Sequence, residues 1–293
     1  MAQRNSDLPD RTKIRATFDR EAGRYDRHAA LEREVGTRLM ERLVFQRRIP
    51  GRIIDLGSGT GYCLAALKKR FRKAEVIGLD ASLAMSRAVR GRSGFLRPLR
   101  AVCGDLSYLP FADRSADLLF SNLALQWCGD FRTLGVGFRR ILRPGGLLLF
   151  STLGPDSLKE FKLTAAYGPD SGRVRHFMDM HDIGDALVAA GFSEPVMDSE
   201  RITTEYRRFE DLVTELEASG GSTHFGEGAR QTEPRDALAE AYGAYRRKGR
   251  YPVTWEIVYG AAFGPEEGQP IRTTQGDVAA FSVDLLRKSL PSR

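Results

Sequence analysis

The chain has 293 residues, with 45 Lys and Arg against 38 Asp and Glu for a formal charge of +7, and is 42% hydrophobic and 28% charged. Such proportions are those of a globular protein and exclude a wholly disordered or fibrous chain. The longest apolar runs, such as Gly145–Leu153, reach about half of the roughly 20 residues that a membrane-spanning helix needs.

Met1–Arg15 is polar and lacks an apolar signal-type stretch, so no secretory signal is expected and a cytoplasmic location is. Arg11–Phe45 reads as helices, and residues 1–50 are expected to form a helical cover. Phe18, Tyr25 and His28 are spaced seven and three apart, which predicts one shared helical face. From residue 52 the pattern alternates. Strands are predicted at Arg52–Leu56, Glu75–Leu79, Leu99–Cys103, Ala116–Asn122 and, after the Arg143-Pro-Gly-Gly turn, Leu147–Thr152. Helical spacing falls between them at Leu64–Phe71 and Leu83–Val89. Beyond loops at Pro155, Gly168-Pro169 and Ser171-Gly172, His181–Ala190 reads as a helix capped by Gly191. Strand-like runs at Glu200–Tyr206 and Val253–Phe263 flank helical material at Phe209–Ala218 and Pro234–Arg247.

Strands alternating with helices predict an α/β fold with a doubly wound, mostly parallel sheet. The domain is expected over 51–263, with a helical insertion at about 207–250 above the ligand edge. The polar tail 264–293 is expected to be loosely ordered. Ligands of such sheets bind beyond the carboxyl ends of the strands, so chemistry is sought there. Cys63, Cys103 and Cys128 are odd in number and lack CxxC spacing. They read as buried free thiols of a reducing compartment, with neither disulfides nor a metal site expected.

The first strand ends in Asp55-Leu56-Gly57-Ser58-Gly59-Thr60-Gly61, where glycines let the backbone approach a ligand closely. The loop lacks both the two-residue gap of the dinucleotide fingerprint and the Lys of a phosphate-binding loop. A carboxylate at Asp55 suits a ligand with a cationic amino group better than a pyrophosphate. Asp80 ends the second strand about 20 residues later, placed to accept bonds from ribose hydroxyls. Gly104-Asp105-Leu106 closes the third strand and Ser121-Asn122-Leu123 the fourth. These four strand ends resemble the class I S-adenosylmethionine-dependent methyltransferases over residues 50–152. The resemblance implies a seven-stranded Rossmann-like sheet and S-adenosylmethionine as co-substrate. It also implies that Asp55, Gly57, Ser58, Gly59, Asp80, Ala81, Met85, Gly104, Asp105, Leu106 and Asn122 bind the co-substrate, its methionine, ribose and adenine portions being taken in turn.

The acceptor is read from the fourth strand end, SNLALQWCGD at 121–130. It lacks the Asn/Asp-Pro-Pro-Tyr run that holds a flat base. It offers an amide, Gln126, and an indole, Trp127, neither of them a strong base. None of the four histidines lies in the glycine loops, so proton abstraction is poorly provided for. A carboxylate acceptor is already anionic and needs no base, only alignment and a counter-charge. Lys68–Arg100 carries ten cations against two carboxylates, an excess that could attract nucleic acid, an acidic surface or an acidic protein.

A narrower resemblance is carried by that run together with STLGPDSLKE (151–160), MHDIGDALVAAGF (180–192), YPVTWEIVYG (251–260) and Phe18…Tyr25-Asp26-Arg27-His28. Over nearly Ile14–Phe263 these resemble the malonyl-acyl carrier protein O-methyltransferases of biotin synthesis. The resemblance implies methylation of the free carboxyl of a malonyl thioester. The partner would be an acidic acyl carrier protein, or malonyl-coenzyme A, rather than nucleic acid or membrane. It implies that Tyr25, Gln126 and Trp127 line the methyl-transfer pocket. Arg173, Arg175, His176 and His224 are the cations considered for the carboxylate, and Lys68–Lys73 and Arg246–Arg250 for docking. The chain departs from the pattern at Ser58, where many relatives have Cys, at Glu32, where they often have Gln, and after Phe263. Three other readings stay open at this point. One is a methyltransferase on another small acceptor, and another is a nucleic-acid methyltransferase. The third is a respiratory-complex assembly factor or arginine hydroxylase of the same fold, whose kind tends to carry His in place of Gln126.

Overall fold

Successive residues of the central strands face opposite ways, as a pleated strand requires, and both faces are apolar. Ile53, Leu118, Leu147, Leu149 and Ile257 pack into one core, while Ile54, Leu119, Leu148, Phe150 and Val258 pack into the other. A sheet buried on both sides needs helices on both faces.

The structure is a computed structural model and describes residues 10–94, 98–163, 174–219, 235–266, 268, 271–273 and 276–278. In chain order its elements are α1 (Arg11–Glu21), α2 (Tyr25–His28), α3 (Ala30–Glu41), β1 (Arg52–Leu56), α4 (Tyr62–Arg70), β2 (Glu75–Asp80), α5 (Leu83–Arg92), β3 (Arg100–Cys103), β4 (Ala116–Asn122), α6 (Phe131–Ile141), β5 (Leu142–Leu153), α7 (Lys159–Leu163), α8 (Met180–Ala189), β6 (Ser193–Tyr206), α9 (Phe209–Ala218), α10 (Arg235–Tyr242), β7 (Tyr251–Phe263), β8 (Ile271–Thr273) and β9 (Gly276–Val278). The main sheet has seven strands in the order β3-β2-β1-β4-β5-β7-β6. All its pairings are parallel except those of β7, which runs antiparallel to β5 and β6. Helices α3, α4, α9 and α10 contribute to one core and α6 and α8 to the other. The order of strands reverses at β1 and β4, so the crevice of the fold opens where these two end.

The expected fold class is the one observed, and several elements are longer or shorter than expected. β5 starts five residues early, because the Arg143–Gly146 turn is a bulge inside it. Gly145 sits at φ +69, and the pairing with β4 jumps from Ala116↔Leu142 to Leu118↔Leu147. Gly264 pairs with this bulge, accepting from Gly145 N–H and donating to Gly146 O, each at 2.8 Å. β6 begins at Ser193 rather than Glu200. It is an edge strand, so its mixed polar face and Pro195 are tolerated beside a bulge. The helix of Pro234–Arg247 is shorter, ending at Tyr242 and tightening to a single 3-10 turn over Gly243–Tyr245. Gly191 closes α8 as expected, at φ +85. Its N–H donates to Val188 O while Phe192 N–H donates to Leu187 O, the paired bonds of a Schellman cap.

The single face predicted for Phe18, Tyr25 and His28 is not observed. The chain breaks between α1 and α2, where Glu21 accepts from the Arg24 guanidinium across the turn, so Phe18 and Tyr25 lie on different helices. The tail from Gly264 begins with Gly264 and Pro265 buried, Glu266 paired with Arg48 at 2.7 Å, and a β8–β9 hairpin. Cys63 is buried, but Cys103 is exposed and Cys128 half-buried, so the expectation of three buried thiols is corrected. Both outliers lie at the ligand edge of the sheet, where the core ends.

Candidate functional site

The loop after β1 is shaped by glycines at φ +73 (Gly57), +52 (Gly59) and +87 (Gly61). At Gly57 the requirement is strict, since a Cβ would stand 2.2 Å from that of Ala124. Gly57 and Ser58 N–H both donate to Leu79 O, at 2.8 and 3.1 Å, which turns the loop toward the end of β2. There Asp80 takes Gly59 N–H on one oxygen and Ser82 N–H on the other, each at 2.8 Å. A carboxylate offers about four lone-pair directions, so two remain for a ligand. Burial pushes Asp80 up to about 6 against these bonds. Ser82, and not Asp80, caps α5, accepting from Met85 N–H.

A cavity of about 480 Å³ opens at these strand ends, within the roughly 300–1,000 Å³ of small-ligand sites. Gly57, Gly59, Asp80, Ala81 and Met85 form one wall. Gly104, Asp105 and Leu106 form the next, and Asn122 and Trp127 the far side. Asp55 and Ser58 lie behind the loop instead, in a contiguous cavity of about 50 Å³ that shares Tyr25, Gly57, Gly59 and Asn122 with the larger one. Gln126 lines neither. Its Nε2 donates to Leu123 O at 2.7 Å, so its amide braces the turn after β4. Asn122 reaches the cavity, but its Nδ2 donates to Glu32 O in α3 at 2.8 Å and its Oδ1 accepts from the Ser151 hydroxyl at 2.9 Å. It is a tie between sheet and cover as much as a wall.

The cover itself is held by two carboxylates and a close approach at a glycine. Asp19 of α1 accepts from the Ser82 hydroxyl at 2.6 Å and from Ala84 N–H at 3.1 Å. These bonds outweigh the upward push of burial and hold its carboxyl below the ordinary range. Asp26 of α2 accepts from Thr60 Oγ1 at 2.6 Å and pairs with Arg92. Gly36 lets α3 approach, since a Cβ there would meet Cys63 Sγ at 2.7 Å. Over the cavity Phe18 stands edge-on to Tyr25 (centroids 6.2 Å) and to Trp127 (5.8 Å). The Arg175 guanidinium lies 5.9 Å from the Trp127 ring centroid. Burial, with the charges of Glu32 and Asp80 among others, pushes the Tyr25 hydroxyl well above its ordinary range. It stays a phenol near neutrality.

Reading along the sequence missed Arg11 and Arg15, which α1 places in the cavity wall. It also set aside Glu32, which lines the smaller cavity. An acid beside the buried Leu31, Val35 and Leu39 of α3 was the available signal. Of the cations considered for an acceptor, Arg175 lies against the cavity wall and His176 is exposed; Arg173 and His224 lie outside the described residues. No group of three or more His, Cys, Asp or Glu among the described residues is placed to hold a metal ion. No helix among them is long and apolar enough to cross a membrane.

The strand order, the glycine loop at the end of β1 and the carboxylate at the end of β2 define a class I methyltransferase. A methyltransferase-domain family matches residues 54–150. Among solved structures, the YcgJ protein of Bacillus subtilis superposes with a TM-score of 0.54 at 14% identity, over 78% of this chain and 98% of that one. A Haloferax volcanii methyltransferase solved with its Trm112 activator gives 0.54 at 21% identity, over 85% and 98%. Sequence likeness goes further. A malonyl-[acyl-carrier protein] O-methyltransferase of Halorhodospira halophila is 43% identical over 95% of this chain and 96% of its own length. One of Laribacter hongkongensis is 43% identical over 87% and 90%, and one of Legionella pneumophila 34% over 86% and 90%. The chain belongs to the malonyl-[acyl-carrier protein] O-methyltransferase family.

Proposed function

We propose that the protein transfers the methyl group of S-adenosylmethionine to the free carboxylate of a malonyl thioester carried by acyl carrier protein, the ester then serving biotin synthesis. The observation that carries this is family membership across both cover and sheet, joined to a cavity at the strand ends with no histidine or lysine among the described residues of its wall. The residues present suit S-adenosylmethionine. Asp55 leaves a buried oxygen without a donor behind the loop, and Gly57 stands where any Cβ would collide.

S-adenosylmethionine supplies an electrophilic methyl on a sulfonium. Asp80 is assigned the ribose hydroxyls, with Ala81 and Met85 along the same wall. Gly104, Asp105 and Leu106 are assigned the adenine, and Asp55, Gly57, Ser58 and Gly59 the amino-acid end. Tyr25 and Trp127 bound the acceptor side and exclude water, with Phe18 between them. A malonyl carboxylate arrives ionised, so the protein's task is alignment and counter-charge. Arg175 at the Trp127 ring is assigned that charge, with Arg11 and Arg15 on the cavity wall. Gln126 is assigned the bracing of the loop that carries Trp127.

An acidic carrier protein would meet the exposed Lys69, Arg70, Arg72 and Lys73, and electrostatic complementarity would speed its encounter. The reaction is placed in the cytoplasm on the strength of its substrates. The test is incubation with methyl-labelled S-adenosylmethionine and malonyl- or acetyl-carrier protein. Label is expected on the malonyl form only. Equal label on both, or on neither, would overturn the reading, and label on malonyl-coenzyme A alone would move the partner.

A further inference from the structure

The small cavity behind the glycine loop presents two carboxyl groups from different parts of the fold. Asp55 enters from the end of β1 and Glu32 from α3. Asp55 is 1% exposed. Its Oδ2 and the Oε2 of Glu32 are shut off from solvent and accept no hydrogen bond among the described residues. Buried acceptors without donors are costly unless a ligand supplies the donors.

We infer that Glu32 and Asp55 jointly seat one ligand cation, the α-ammonium of the S-adenosylmethionine amino-acid end, with Glu32 contributed by the N-terminal cover rather than by the sheet. The inference rests on the methyltransferase reading and adds Glu32 as a residue that positions the co-substrate.

Size and chemistry both select this occupant. About 50 Å³ accommodates a group little larger than a water molecule and nothing bulkier. The cavity adjoins the larger one across Tyr25, Gly57, Gly59 and Asn122, so a short arm of a ligand there reaches it. Arg33 also lines it, but its guanidinium donates to Asp26 O. An ammonium brings three donors to two carboxyls that each have one buried oxygen without a donor.

The titration of the pair agrees with the geometry. Burial, then the charge of Asp80, pushes Asp55 up to about 8. Burial also pushes Glu32 up to about 7, with Glu215 of α9 adding to the rise and Arg33 and its own N–H opposing it. Cys63 and Tyr25 face the two acids and are themselves pushed up, so neither donates a charge. Asp26 shares the cavity wall and Tyr206 lies near Glu32. Near neutrality the two acids therefore hold protons, which an arriving ammonium displaces into solvent. Affinity for the amino-acid end rises with pH between about 6 and 8 as a consequence.

Calorimetry at pH 7, in two buffers of different ionisation enthalpy, measures both affinity and protons released. The probes are S-adenosylhomocysteine, which keeps the ammonium, and methylthioadenosine, which lacks the amino-acid end. Wild type is expected to release protons with S-adenosylhomocysteine. Glu32→Gln should remove roughly half a proton of that release, the share of a group titrating near pH 7. Glu32→Ala should weaken S-adenosylhomocysteine about tenfold, and methylthioadenosine should bind all three proteins alike. Unchanged affinity and proton release in both variants would overturn the assignment, as would equal losses for methylthioadenosine. Failure of S-adenosylhomocysteine to bind the wild type would instead overturn the methyltransferase reading itself.

Discussion

Asn122, at the end of β4, donates from Nδ2 to the main-chain carbonyl of Glu32 in α3 at 2.8 Å. Ser151 of β5 completes the link by donating to Asn122 Oδ1 at 2.9 Å. The cover is thus fastened at the point where the sheet opens to its ligand, and site assembly depends on a contact 90 residues apart in sequence.

Loss of that fastening is measurable. Asn122→Ala should cost about 1–3 kcal/mol of stability, the range for a buried acceptor stripped of its donor. Asn122→Asp keeps the acceptor for Ser151 but turns the donor to Glu32 into an anionic oxygen facing the same carbonyl. Hydrogen exchange in α3 should rise in both variants, and urea unfolding gives the stability difference.

Gly57 should not tolerate a side chain. Gly57→Ala places a Cβ 2.2 Å from that of Ala124 and adds about 1–2 kcal/mol for an L-residue at left-handed φ. S-adenosylhomocysteine binding is expected to disappear in calorimetry. Adding Ala124→Gly removes the collision but not the φ cost, so the double variant should recover binding only in part.

Asp55 makes the ligand-free protein less stable as pH rises. Its folded value of about 8 stands above the ordinary carboxylate value of 3.8. The folded state therefore binds the extra proton, and this contribution is fully present below about pH 4 and lost as pH rises through about 8. In thermal unfolding without ligand, Asp55→Asn should flatten that decline and exceed wild type at pH 8. The same variant should bind S-adenosylhomocysteine more weakly, a trade of stability against binding.

Trp127 and Arg175 should separate acceptor from co-substrate. Trp127→Ala is expected to lower turnover with malonyl-carrier protein by roughly 10²-fold, the scale on which lost alignment acts. S-adenosylhomocysteine affinity should fall far less.

Arg175→Gln should raise KM for malonyl-carrier protein about tenfold, the value of a charge-assisted hydrogen bond. Steady-state kinetics on both substrates distinguishes this from a general loss, because KM for S-adenosylmethionine should hold.

Much of the frame is legible along the chain. β1, β4 and α9 occur at the residues that periodicity predicts, because a strand buried on both faces or a helix with one apolar stripe writes its pattern locally. The bulge at Arg143–Gly146 is not legible, since a Pro-Gly-Gly run normally ends a strand. Here it persists because Gly264, far along the chain, supplies the bonds that Gly145 and Gly146 need. Gln126 and Trp127 are neighbours in sequence, yet one braces a turn and the other lines the cavity. Spacing alone does not separate them.

The sequence by itself determined the alternating α/β order, the glycine loop after β1 and the acids at the strand ends. Close packing and backbone approach constrain residue type at short range. Only the tertiary structure decided that α1–α3 close over those strand ends, that Phe18 reaches Trp127, and that Glu32 joins Asp55 in one cavity. These are meetings of residues distant along the chain. Their energies come from burial and from hydrogen bonds that exist only once the sheet has brought its ends and the cover together.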